Sequence, residues 1–158
     1  MLRLSVDKTE MTLQPGEGVD VAVSFNANVA AITQPGTFTT RLTIGAKTPY
    51  RIAPVPVTFV VNSPKTWGKI TGTATGVGCT GTSAPLSGAT VQISSKTASY
   101  TLKTDQSGQY VFWLDVSDSP LTVVAAKDGW APQTQSVKIK AGDATTADFS
   151  LEPDHTCT

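Results

Sequence analysis

Histidine occurs once in this sequence, cysteine and methionine twice each, and Asp, Glu, Lys and Arg together supply only 15% of 158 residues. One His and two distant Cys cannot assemble a four-ligand zinc site. A Ser/His/Asp triad needs a base, and His155 stands in the terminal Pro153-Asp154-His155-Thr156-Cys157-Thr158 stretch, the place of an exposed tail residue. No Gly-x-Ser-x-Gly turn occurs, and no paired carboxylates stand out from the turns. Asp105-Gln106-Ser107-Gly108 lacks the alternating acids of a calcium loop, so Asp105 reads as a turn former. Catalysis, a metal and a cofactor are therefore not expected. Twelve basic and twelve acidic residues cancel to a formal net charge of +0. They are scattered, which leaves no footprint for nucleic acid and no polybasic strip for an anionic membrane. No apolar run approaches the ~18 residues that span a bilayer.

What the chain has instead is Thr, Val, Ser, Gly and Pro, a composition that favours short extended segments and tight turns over helices. The expected class is all-β. The low Lys/Glu content, the Thr/Ser-rich strands and the single Cys pair suit an extracellular module. Met1 to Asp20 lacks the unbroken apolar core of a signal peptide, so secretion carries the expectation that the sequence is part of a longer precursor.

Leu2 to Val6 and Val19 to Phe25 alternate apolar with polar residues around the turn Pro15-Gly16-Glu17-Gly18. Gln34-Pro35-Gly36 opens a segment from Thr37 to Ile44, and a last strand runs from about Pro56 to Val61, with Pro54 and Pro56 marking an edge or irregular entry. Asn62-Ser63-Pro64-Lys65-Thr66 is a polar break. The expected organisation is a first domain over 1–62, a linker over 63–66 and a second domain over 67–158. In the second, strand-like segments fall at about 69–76, 89–94, 98–103, 109–115, 120–126, 134–140 and 145–151, separated by turn residues. Alternation places Ile70, Val91, Ile93, Tyr110, Phe112, Val123, Ala125, Val137, Ile139, Phe149 and Leu151 on the inner face of a sandwich.

Three stretches of the second half carry a family resemblance. They are Ile70-Thr71-Gly72-Thr73 with Pro85-Leu86-Ser87-Gly88-Ala89-Thr90-Val91, then Thr104-Asp105-Gln106-Ser107-Gly108-Gln109-Tyr110, then Leu121 to Trp130. Over nearly all of 67–153 the chain resembles the carboxypeptidase regulatory-like family, which implies a seven-stranded sandwich of transthyretin-like type, usually an appended module with no chemistry of its own. The first half resembles the C-terminal part of a bacterial immunoglobulin-like domain, on Leu4-Ser5-Val6, Leu13 to Phe25, Gln34 to Phe38, Leu42-Thr43-Ile44 and Val55 to Val61. It has about five strands where a full sandwich of that type needs roughly seven over about 100 residues, so N-terminal strands are expected to be missing and an edge left open. In tandem the two resemble the C-terminal region of actinobacterial secreted subtilisin-like serine peptidases.

The resemblance bears on single residues. In transthyretin-like sandwiches the first and last strands can run parallel, which would bring Cys79 and Cys157 to one end as a disulfide; free thiols or an intermolecular bridge are the alternatives. Lys69 and Asp148 invite comparison with the isopeptide bonds of collagen-adhesin B-type domains, but if Ile70 and Phe149 face the core these two face water, where nothing drives condensation. Trp130 holds a position where the family carries a packing aromatic, and Trp67 at the domain boundary is expected to seal it. Trp113 falls on the face opposite Tyr110 and Phe112 and is the candidate for stacking on a sugar. The expected function is therefore that of non-catalytic accessory modules in a secreted multidomain hydrolase, most directly a subtilisin-like serine peptidase, whose catalytic domain upstream would be the partner. The alternative is a module that binds polysaccharide or protein substrate.

Overall fold

A computed structural model describes residues 3–27 and 33–157; Leu2, expected to open the first strand, lies outside them. The chain divides into two compact units, Met1–Asn62 and Ser63–Thr158. The described residues are all-β, with short strands and a single 3-10 turn, Val116–Asp118.

In the first unit β1 (Arg3–Val6) pairs antiparallel with β2 (Val23–Asn26), and β3 (Gly36–Leu42) pairs antiparallel with β4 (Val55–Val61). Among the described residues four strands stand where about five were expected. The second is also shorter than the alternation from Val19 suggests. Around Asp7 and Ala22 the backbone is held by Asp7 Oδ1, which accepts from the Ala22 N–H, and by an Asp7 N–H to Ala22 carbonyl bond. The ribbons meet through Phe59, whose ring lies 4.8 Å from that of Phe25 and 5.4 Å from that of Phe38. No described side chain of this unit is buried.

The second unit holds the core. Its first strand, β5 (Trp67–Val77), alternates half-buried with buried residues along its whole length. One sheet follows the order β11-β10-β7-β8, made of β7 (Thr90–Ser94), β8 (Ser99–Lys103), β10 (Leu121–Lys127) and β11 (Trp130–Val137). The other is centred on β5. Along one of its edges run β9 (Gln109–Asp115) and the short β6 (Ser83–Pro85), both antiparallel; β12 (Ala144–Thr146) and β13 (Phe149–Leu151) pair with it in parallel. Backbone bonds identify the edges. Lys69 and Thr71 bond Asp143 and Ala147 on one side, whereas Ala74 bonds Gly108 and Leu86 on the other. Nine segments thus fill seven strand positions, because each flank of β5 is shared by two short pieces.

The expected strand at 145–151 is broken for a visible reason: at Asp148 it is the side-chain carboxylate that accepts the Thr73 N–H, at 2.8 Å. β6 is three residues long and exposed throughout, so no alternation announces it. The strand expected at 134–140 begins instead at Trp130, where the hairpin closes on Lys127, and it carries Pro132 within it. Residues expected in the linker belong to this unit: the Trp67 N–H bonds the Pro64 carbonyl, and Thr66 Oγ1 bonds Asp115.

The two sheets close on Ile70, Val91, Ile93, Leu121, Val123, Phe149 and Leu151, all buried. Of the residues assigned inward by alternation, Phe112 alone is half-buried; it lies at the margin against Tyr100 of edge strand β8, ring to ring 4.9 Å. Ala74, Leu86, Ala89, Leu114 and Ala147 complete the core.

Candidate functional site

Buried polar groups are where a sandwich would house chemistry, and here they are held by the fold itself. Thr104 is the buried polar side chain among the described residues; its hydroxyl donates to the Leu86 carbonyl and accepts from the Ala89 N–H. Tyr110 Oη donates to the Ala147 carbonyl at 2.6 Å. Burial, and then the Asp148 carboxylate, push its ionisation well above the ordinary tyrosine value of 10.0, so it stays a neutral donor. Asp105 acts in its turn as Asx residues do: Oδ1 accepts from the N–H groups of Ser107 and Gln109, and Gly108 completes the turn at φ +74°. Among the described residues no buried side-chain nitrogen or oxygen lacks a partner, and no three His, Cys, Asp or Glu side chains gather as metal ligands. His155 lies exposed beside Asp154, its Nδ1 3.4 Å from Oδ1.

The outer face of the β5 sheet carries the remaining candidates. Trp113 is half-buried and sits across from Lys69, whose ammonium lies 5.8 Å from the centre of its ring. The indole face proposed for stacking therefore already has a cation over it. Trp67 stands across from Asp115. The Thr66 hydroxyl, then the N–H and hydroxyl of Ser117, hold the Asp115 carboxyl below its ordinary value. Asp148 accepts from both the N–H and the hydroxyl of Thr73, not from Lys69. Trp130 packs on the core, its ring filling the space that a side chain at Gly76 would need. A shallow depression of about 260 Å³ is lined by Gly88, Thr90, Lys103, Ala126, Lys127 and Asp128. Its two ammonium groups are engaged by the Thr90 hydroxyl and the Ser87 carbonyl.

The covalent feature is at one end of β5. Cys79, just beyond that strand, is joined to Cys157, just beyond β13, with the Cα atoms 5.3 Å apart and a sequence separation of 78. Closing a loop of that length stabilises by roughly 4–5 kcal/mol in the chain-entropy picture. The parallel pairing of β13 with β5 is what brings the two ends together.

Architecture and site together define a β-sandwich module whose polar interior serves its own backbone. Residues 69–152 match the carboxypeptidase regulatory-like domain, and the chain belongs to that family. No curated protein matches the sequence. Among solved structures it is similar to the Bacillus anthracis TIE protein, with 14% identity and a TM-score of 0.48 over 96% of this chain and 32% of that one. It is similar also to GBS52, the minor pilin of Streptococcus agalactiae, with 14% identity and a TM-score of 0.50 over 91% of this chain and 73% of that one. A third is 3-chlorocatechol 1,2-dioxygenase from Rhodococcus opacus 1CP, with 13% identity and a TM-score of 0.39 over 54% of this chain and 60% of that one. At 14% identity the likeness to GBS52 is one of fold.

Proposed function

We propose that the chain is a non-catalytic accessory region of a secreted multidomain hydrolase, most directly a subtilisin-like serine peptidase, and that it acts by spacing, stabilising or orienting its neighbour. The observation that carries this reading is that the buried hydroxyls of Thr104 and Tyr110 are engaged by the backbone of the second unit itself, in a chain of the carboxypeptidase regulatory-like family. The first unit, read as a partial immunoglobulin-like sandwich, adds a reason for a neighbour. Met11, Leu13, Val19, Phe25, Ile44 and Tyr50 are exposed there, and each strand of the two separate ribbons has an edge that no other described strand pairs. Such edges favour pairing with an extended segment of the adjoining domain.

Deleting the region from the parent enzyme tests this. The expected result is a lower yield or thermal half-life with little change in rate on small peptides. A truncated enzyme that keeps its stability and loses activity only on a polymeric substrate, with Trp113→Ala reproducing the loss, would establish the substrate-binding alternative instead.

A further inference from the structure

The position of the disulfide relative to β5 says how the second unit responds to being pulled. The chain enters this unit at Ser63–Thr66 and passes directly into β5, an extended strand of 11 residues. At the far end of β5 stands Cys79, and the bond to Cys157 leads straight to the tail. A covalent path therefore runs from the entry of the unit, along one strand, across the sulfurs and out. Everything between Cys79 and Cys157 hangs beside that path as a closed loop. Entry and exit lie at opposite ends of β5, about 36 Å apart at the usual rise of a strand.

Without the bond the same pull would fall on the parallel contacts of β12 and β13 with β5. Drawing β5 backwards from Trp67 and β13 forwards from Leu151 slides the strands past each other. The ladder at Lys69–Thr71 and Ala74–Gly76 would then bear the whole load. With the bond in place the load passes through β5 itself, which is already near its full extension and has almost no length left to give.

We infer that the second unit is a tension-bearing strut, in which the Cys79–Cys157 bond carries force past the sandwich so that the distance between whatever is joined at its two ends stays fixed under pull. This rests on the spacer reading and gives it a mechanism: a spacer in flowing or sheared surroundings is of use only if it does not unravel. An ordinary β-sandwich of this length lengthens severalfold when it unfolds; this one is held to the length of one strand.

Single-molecule stretching of the full chain, with handles at both termini, tests the inference. The untreated chain is compared with the same chain after thiol reduction and with the Cys79→Ser/Cys157→Ser variant. Extension of the first unit contributes equally to all three. The sequence separation of 78 corresponds to about 26–28 nm of extended chain, and the reduced and variant chains should reach a final length greater by about that amount. The final length does not depend on whether the variant folds. After the first unit has extended, the untreated chain should show no further step of that size. An untreated chain that extends as far as the variant, or that falls short by a different length, overturns the strut. Because the measurement is made on this chain alone, its failure is distinct from a failure of the accessory reading, which the parent enzyme's stability decides.

Discussion

Tyr110, on β9, ties together the two flanks of β5. Its ring lies 6.5 Å from that of Phe149, and its hydroxyl holds the Ala147 carbonyl at the break between β12 and β13. Tyr110→Phe keeps the ring and removes the donor from a buried carbonyl, so the unit should lose about 1–3 kcal/mol, read as a lower denaturant midpoint at unchanged slope. The same residue sets an alkaline dependence. Its ionisation is raised in the folded state, so its contribution is complete below the ordinary tyrosine value of 10.0 and is lost as pH rises beyond it, where the unfolded chain ionises and the folded one does not. Stability of the native unit should fall between pH 10 and higher values, and Tyr110→Phe should flatten that fall. An equal slope in both proteins would show that the hydroxyl is not the group responsible.

Among the elements, β5 governs the sandwich, and its inner face is made small so that other segments can come close. A Cβ at Gly72 would lie 1.9 Å from the Ala147 carbonyl oxygen and 2.8 Å from Tyr110; one at Gly68 would lie 2.4 Å from the Lys140 carbonyl. The two carbonyls are backbone and cannot swing aside. Gly72→Ala should therefore displace β12 and β13 and destabilise the unit by at least the 1–3 kcal/mol typical of an overpacked core (about). Faster amide exchange confined at first to Ala144–Leu151 would be the expected sign, and unchanged exchange there would contradict the packing argument. The opposite edge of β13 is closed by side chains: the Gln133 and Gln135 amides donate to the carbonyls of Ser150 and Asp148, and the Ala131 N–H bonds the Glu152 carbonyl. β13 thereby stitches β5 of one sheet to β11 of the other, so neither sheet is left open along that side.

At the scale of the whole chain the stability is unevenly placed. Every fully buried hydrophobic residue among those described belongs to the second unit, which also holds the disulfide. Two calorimetric transitions are expected, the first unit melting at the lower temperature, with a protease cut near Pro64. Reduction should lower the second transition by roughly 4–5 kcal/mol and leave the first unmoved. A single cooperative transition, with the chain resistant near Pro64, would show that the two units fold as one.

Alternation along single segments was enough to put Ile70, Val91, Ile93, Val123, Phe149 and Leu151 inside, and the turn at Asp105–Gly108 was readable from its residue types alone. Both are local properties of a pleated backbone, in which successive side chains point to opposite faces whatever lies beside the strand. Glycines carry no such signal, so the close approach of Ala147 and Lys140 to β5 was not visible in Gly72 and Gly68. Nor was the cover over Trp113, because Lys69 reaches it across a ladder between strands far apart in the chain. Spacing alone left the two cysteines free to pair, to stay reduced or to bridge two molecules. Only the parallel docking of the last strand on the first, a contact between opposite ends of the unit, sets Cys79 and Cys157 side by side. Which strands become neighbours depends on how the closed core is filled, and that is a property of all its residues together.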